Sequence, residues 1–174
     1  MRKIYTVAAT IAAIGIAGVA AAQSPTQPDL TPVNITVRAG IALPLDSALT
    51  NVGNTLLDLG VEYMIPTSLV KGSETFISLD YWTKGFNGNG NVIPLMVNQR
   101  WYQGGADVLK RRYFFLGAGV AFVDVNRSNT AIGIRGGIGQ ELGEHIVAEI
   151  AGYLSDRAGG ARANAITFSL GYRF

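Results

Sequence analysis

Eight times between residues 33 and 174 the chain alternates apolar and polar side chains for about ten residues, then breaks at a cluster of Gly, Asn, Asp, Pro or Ser. Period-two alternation bounded by turn residues is the mark of a strand that hides one face. The alternation predicts strands at 33–43, 56–65, 75–83, 92–102, 113–124, 130–140, 146–154 and 164–174, with no helical period between them. Eight such antiparallel strands build either a soluble barrel with apolar side chains inside, as in lipocalins, or a membrane barrel with apolar side chains outside. The polar face decides between the two.

That face carries Thr36, Arg38, Gly40, Asp58, Gly60, Glu62, Ser78, Asp80, Asn98, Arg100, Gly117, Gly119, Arg135, Gly137, Gly139, Glu149, Thr167, Ser169, Gly171 and Arg173. A soluble sheet guards its wet face with Lys and Glu; here Lys is nearly absent from the strands and small residues dominate. Four arginines (Arg38, Arg100, Arg135, Arg173) match four acids (Asp58, Glu62, Asp80, Glu149), all on one side of the alternation. Arg is the cation suited to buried pairing because its planar fork grips carboxylates. The expected lumen is therefore plugged by a charge network, with Arg38 facing Asp58 or Glu62, Asp80 facing Arg100, and Arg135 facing Glu149. The expected fold is an all-β, eight-stranded, antiparallel up-and-down transmembrane barrel over 33–174. Closure leaves no strand edge, as hydrocarbon demands.

Composition agrees: 48% of residues are hydrophobic and only 15% charged, against about 25% charged in an average soluble domain. The first 22 residues have Arg2 and Lys3, an uncharged apolar stretch and a closing Ala20, Ala21, Ala22. That is the layout of a secretory signal peptide. Residues 23–32 read as a flexible periplasmic leader. Without Arg2 and Lys3, twelve basic residues balance twelve acidic ones, which removes any electrostatic case for nucleic acid. There is no Cys, so neither a disulfide framework nor a thiolate metal site is available.

Up-and-down strands would set outward Tyr63, Trp101, Phe114, Tyr172 and Phe174 at one rim and Tyr81 and Phe122 at the other, as two aromatic girdles. The chain ends on "ITFSLGYRF", and the pattern Phe168, Leu170, Gly171, Tyr172, Phe174 resembles the C-terminal assembly signal of bacterial outer-membrane barrels. The glycine-rich "YFFLGAGVAFVDV" at 113–125 is similar to a strand common in outer-membrane barrel domains. From about Val33 onward the chain resembles the small eight-stranded outer-membrane barrels of the OmpA transmembrane domain and OmpX class. The resemblance implies a bacterial outer-membrane location, contact with outer-membrane lipids including lipopolysaccharide, and handling by periplasmic chaperones and the barrel-assembly machinery. It differs from that class in having long connections at 66–74 and 103–112 and only modest ones at 44–55, 84–91, 125–129 and 155–163.

No catalytic, cofactor or metal-binding set is expected. The single histidine, His145, neighbours Glu144 and Glu149, but Ser155 falls at the opposite end of its strand, roughly 30 Å away across a bilayer. "GIRGGIG" at 133–139 lacks the strand-to-helix context of a phosphate cradle, and "KGFNGNGN" at 84–91 holds too few carboxylates for calcium. "KRR" at 110–112 reads either as a headgroup contact or as a solvated turn. The expected function is non-enzymatic: a monomeric outer-membrane barrel with a structural or surface-interaction role, with the loops at 44–55 and 155–163 as the place for an extracellular ligand. The rivals are a narrow channel for small or apolar solutes, a soluble ligand-binding barrel and a lipid-modifying enzyme.

Overall fold

The computed structural model describes residues 34–85, 90–103, 111–125 and 128–174. The expected signal peptide at 1–22 and the expected leader at 23–32 lie outside the described residues. Eight strands close on themselves: β1 (Ile35–Pro44), β2 (Leu56–Ile65), β3 (Glu74–Thr83), β4 (Asn91–Gln103), β5 (Arg112–Asp124), β6 (Ser128–Glu141), β7 (Ile146–Ser155) and β10 (Ala165–Arg173). Each is antiparallel to its sequence neighbour in the barrel, and β1 pairs β10 with Val37 opposite Tyr172 and Ile41 opposite Phe168. The terminal strand therefore closes the barrel beside the first.

Two elements depart from the expectation. A helix α1 (Ser47–Val52) occupies the 44–55 connection, and a two-stranded hairpin of β8 (Arg157–Ala158) and β9 (Ala161–Arg162) occupies 155–163. Each is too short to leave a period in the sequence. Helix α1 starts because the Asp46 side chain accepts from the Ala48 amide, 3.0 Å away, one of the donors an N-terminus leaves without a partner. It carries fully buried Leu49 to the barrel mouth.

The alternation places the faces as an inside-out protein. Leu170, Ile138 and Ile132 are 61%, 62% and 70% exposed, while Arg38, Glu62 and Arg135 are 3%, 3% and 1% exposed. A continuous apolar girdle far exceeds the few hundred Å² tolerated on a soluble monomer; it is the surface a hydrocarbon solvent would favour. The barrel has two rims. One, here the near rim, holds Asn34 and Phe174; the other, the far rim, holds α1 and the β8–β9 hairpin.

Candidate functional site

The lumen gathers most of the buried charged side chains among the described residues, and it is filled in three tiers. Toward the far rim the tier is apolar: Leu56, Trp82, Val92, Val123, Ala131 and Ala165 are all buried and belong to one cluster with Leu49 of α1. Trp82 meets the Tyr153 ring edge-on at 4.7 Å. Within this tier the buried Trp82 indole N–H has no hydrogen-bond partner among the described residues.

The middle tier is ionic. Arg38 on β1 sits 3.4 Å from Glu62, 2.5 Å from Asp80 and 2.6 Å from Glu149. Arg135 on β6 pairs with Glu149 on β7 and reaches Ser78 Oγ at 2.9 Å. Arg100 donates to Glu62 at 2.9 Å. Two hydroxyls complete the acceptors: Tyr153 donates to Asp80 at 2.5 Å and Tyr113 to Glu149 at 3.2 Å.

Partners on adjacent strands were expected, and several contacts instead skip a strand. Asp80 pairs with Arg38 rather than Arg100, and Arg100 pairs with Glu62. The cause is the small residue in between. Arg38 lies opposite Gly60 in the β1–β2 register, and Gly60 lies opposite Asp80 in the β2–β3 register. A Cβ on Gly60 would overlap Asp80 Oδ1 and stand 3.2 Å from the Arg38 guanidinium; its absence lets the arginine cross β2. Ser78 on β3 similarly separates Glu62 from β4, where Arg100 originates.

Two expected members stand apart from this network. Asp58 is buried at 3% exposure, but it makes no ion pair among the described residues, and its Oδ1 has no hydrogen-bond partner there. The Arg38 fork is already occupied by three other carboxylates. Arg173 lies at the near rim and not in the centre, because it is the last residue of β10. There it donates to Glu141 at 2.7 Å, which also accepts from Arg111 at 2.8 Å and from the Tyr102 hydroxyl at 2.9 Å. The carboxylate bond lifts the Arg111 guanidinium above its ordinary pKa.

The third tier, toward the near rim, is aromatic. Arg100 lies 4.3 Å over the Phe76 ring and 4.4 Å over Tyr113, and Arg135 lies 4.6 Å over Phe115. Cation–π contacts in a desolvated setting are worth about 2 kcal/mol each. These inward rings, with Trp82, Met96 and Tyr153, were not singled out in the sequence. They sit in phase with the charges, Phe76–Ser78–Asp80–Trp82 on one strand and Tyr113–Phe115 on another, so the alternation itself carried the signal.

Outside, Trp101 stacks on Phe114 at 5.1 Å, and Tyr172 contacts Phe174 at 4.9 Å. With Tyr63 these line the near rim, while Tyr81 and Phe122 stand two residues from the far ends of their strands. Phe168, Leu170 and Tyr172 point outward and Gly171 inward on β10. His145 stacks on Tyr172 at 5.2 Å and shares a 2.8 Å hydrogen bond with the Arg173 carbonyl. Ser155 is at the other end of β7, where its hydroxyl accepts from the Ala163 amide at 2.8 Å. The ten residues of β7 separate the two by about 30 Å at 3.3 Å per residue.

No protein-family model matches the chain, and no curated protein does. Among solved structures, the outer membrane enzyme PagL aligns with a TM-score of 0.55 at 14% identity, over 80% of this chain and 98% of that one. Neisserial surface protein A aligns with a TM-score of 0.49 at 10% identity, over 81% and 97%. The Yersinia pestis outer membrane protein Ail gives 0.48 at 14%, over 80% and 98%. Identity this low speaks to architecture and not to activity. With its closed ring of eight antiparallel strands, apolar outside and ionic within, the chain has the fold of the small eight-stranded outer-membrane barrels.

Proposed function

We propose that the protein is an integral barrel of the bacterial outer membrane, non-enzymatic and closed to solutes, whose role is structural or is exercised at its rims. The observation that carries this reading is the continuous filling of the lumen, from Leu49 through the Arg38 network to the Phe76 and Tyr113 rings. An eight-stranded barrel is just wide enough for its own side chains, and here they occupy it. In the proposed orientation the near rim, with both ends of the barrel chain, faces the periplasm and the far rim faces outward. The outward strip Phe168, Leu170, Tyr172 and Phe174 would then be read by the assembly machinery before the barrel closes.

The engagement of His145 and Ser155 at opposite rims supports a non-enzymatic role, since nucleophile and base must share a hydrogen bond. Planar-bilayer recording tests the closed lumen. Purified protein is expected to add no stepwise conductance to a bare bilayer; reproducible ohmic steps would refute a sealed lumen and favour a narrow channel.

A further inference from the structure

The β8–β9 hairpin stands on the far rim as an amphipathic unit. Arg157 pairs with Arg162 and Ala158 with Ala161, and Gly159 and Gly160 make the turn with φ of 60° and 88°. Positive φ at both central residues is what a two-residue I′ hairpin turn demands. Ala161 is buried and Ala158 packs against the apolar cluster beneath the hairpin, while Arg157 and Arg162 are exposed. Directly opposed residues of an antiparallel pair project from the same face, with Cβ atoms about 4.5–5.5 Å apart. The two arginine side chains thus leave the hairpin side by side on its exposed face.

The hairpin is braced at its base. Asp156 donates its amide to the Ile132 carbonyl at 3.0 Å and accepts the Ile132 amide on Oδ1 at 2.8 Å. The Ser155 amide donates to Asn164 Oδ1 at 2.9 Å, and the Asn164 carbonyl accepts from Leu45 at 2.8 Å. Like charges directly opposite one another destabilise a strand pair, yet among the described residues neither arginine has an ion pair within 4.0 Å. Asp156, the neighbouring acid, is committed to the Ile132 amide. Two arginines rooted side by side on a braced hairpin, with no counter-charge of their own, can converge on one anion as a clamp.

We propose that Arg157 and Arg162 together bind a phosphate group. A phosphomonoester brings nearly two negative charges and three acceptor oxygens, enough for a bidentate grip by each fork, whereas a carboxylate has only two oxygens to share. The group could reach the rim as a lipid headgroup or as free phosphate; the lipid source rests on the outer-membrane reading above.

The test uses the folded full-length chain in phosphate-free nonionic detergent, titrated with bisphosphorylated lipid A, with dephosphorylated lipid A, and with inorganic phosphate. Wild type is expected to bind the phosphorylated lipid about tenfold or more tighter than the dephosphorylated one. Arg157→Gln and Arg162→Gln should each weaken it about tenfold, the loss of a charged hydrogen-bonded pair. Arg157→Lys, which keeps the charge but loses the fork, should fall between. Equal binding of lipid A by wild type and the Arg157→Gln/Arg162→Gln double variant overturns the clamp. Inorganic phosphate binding as tightly as lipid A, with loss in the same variants, keeps the clamp and overturns the lipid source. If the protein stays dispersed without detergent, the membrane reading fails, and the inorganic phosphate arm still decides the clamp.

Discussion

Replacing Arg38 by Met keeps most of the stem's volume and removes the charge at the hub of the lumen. Arg38 is 3% exposed and contacts Glu62, Asp80 and Glu149 on three different strands. Breaking a buried pair from one side costs about 3–5 kcal/mol because the remaining charge loses its compensation. The three carboxylates do not triple that figure, since each keeps another partner: Glu62 keeps Arg100, Asp80 keeps the Tyr153 hydroxyl, and Glu149 keeps Arg135 and Tyr113. About 4–5 kcal/mol is therefore expected for Arg38→Met. Arg100→Met, whose single carboxylate partner retains Arg38, should lose only about 2–3 kcal/mol, the worth of a charged hydrogen bond. Equilibrium urea unfolding from lipid vesicles, followed by the fluorescence of Trp82 and Trp101, measures both. Arg38→Met/Glu149→Gln removes one of the acids left in excess, and should recover about 1–3 kcal/mol of the loss. An Arg38→Met midpoint within about 0.5 kcal/mol of wild type, the usual effect of a solvated surface change, would refute a buried network.

Two further outcomes follow from local geometry. Gly60→Ala puts a methyl onto Asp80 Oδ1 and against the Arg38 guanidinium; it should cost about 1–3 kcal/mol, as overpacking does, in the same urea assay, whereas Gly85→Ala, with nothing within 4 Å of the added carbon, should stay within about 0.5 kcal/mol. Deleting Phe174 removes the 3.0 Å bond from its amide to the Ile35 carbonyl and the ring contact with Tyr172; it should slow insertion into vesicles that contain the assembly machinery while leaving spontaneous folding into short-chain lipid largely intact, and equal slowing in both would mean that Phe174 serves closure and not recognition.

The division into faces was legible because a strand's side-chain period is two, so one polar residue in the right phase assigns all its neighbours. Arg38, Asp80, Arg135 and Glu149 could be placed inside from that rule alone. Their partners could not. Arg38 reaches Asp80 across Gly60, and Arg100 reaches Glu62 past Ser78; which side chain spans an intervening strand depends on arm length and on the size of the residue crossed, and neither enters a periodicity. The inward rings were hidden for another reason. Phe76, Trp82, Tyr113, Phe115 and Tyr153 are apolar or amphipathic residues on the face defined by its charges, and a reading that sorts residues by polarity leaves them out, although phase puts them in. The six residues of α1 and the four paired residues of β8 and β9 are shorter than any window in which a period can be counted.

Side chains occupy the lumen in an apolar, an ionic and an aromatic tier, and the two rims treat their cations differently. At the near rim Arg111 and Arg173 share the Glu141 carboxylate, with Tyr102 as a third donor, so one acid there holds two arginines in place. At the far rim the backbone beside Arg157 and Arg162 is braced through the Asp156 and Ser155 bonds to β6 and to Asn164, yet among the described residues neither arginine has an ion pair. Arg38, Arg100 and Arg135 in the lumen and Arg111 and Arg173 at the near rim each pair with an acid. Leaving two opposed arginines without one costs stability in the free protein, and in the proposed clamp that cost is offset when an anion from outside the chain arrives between the two forks.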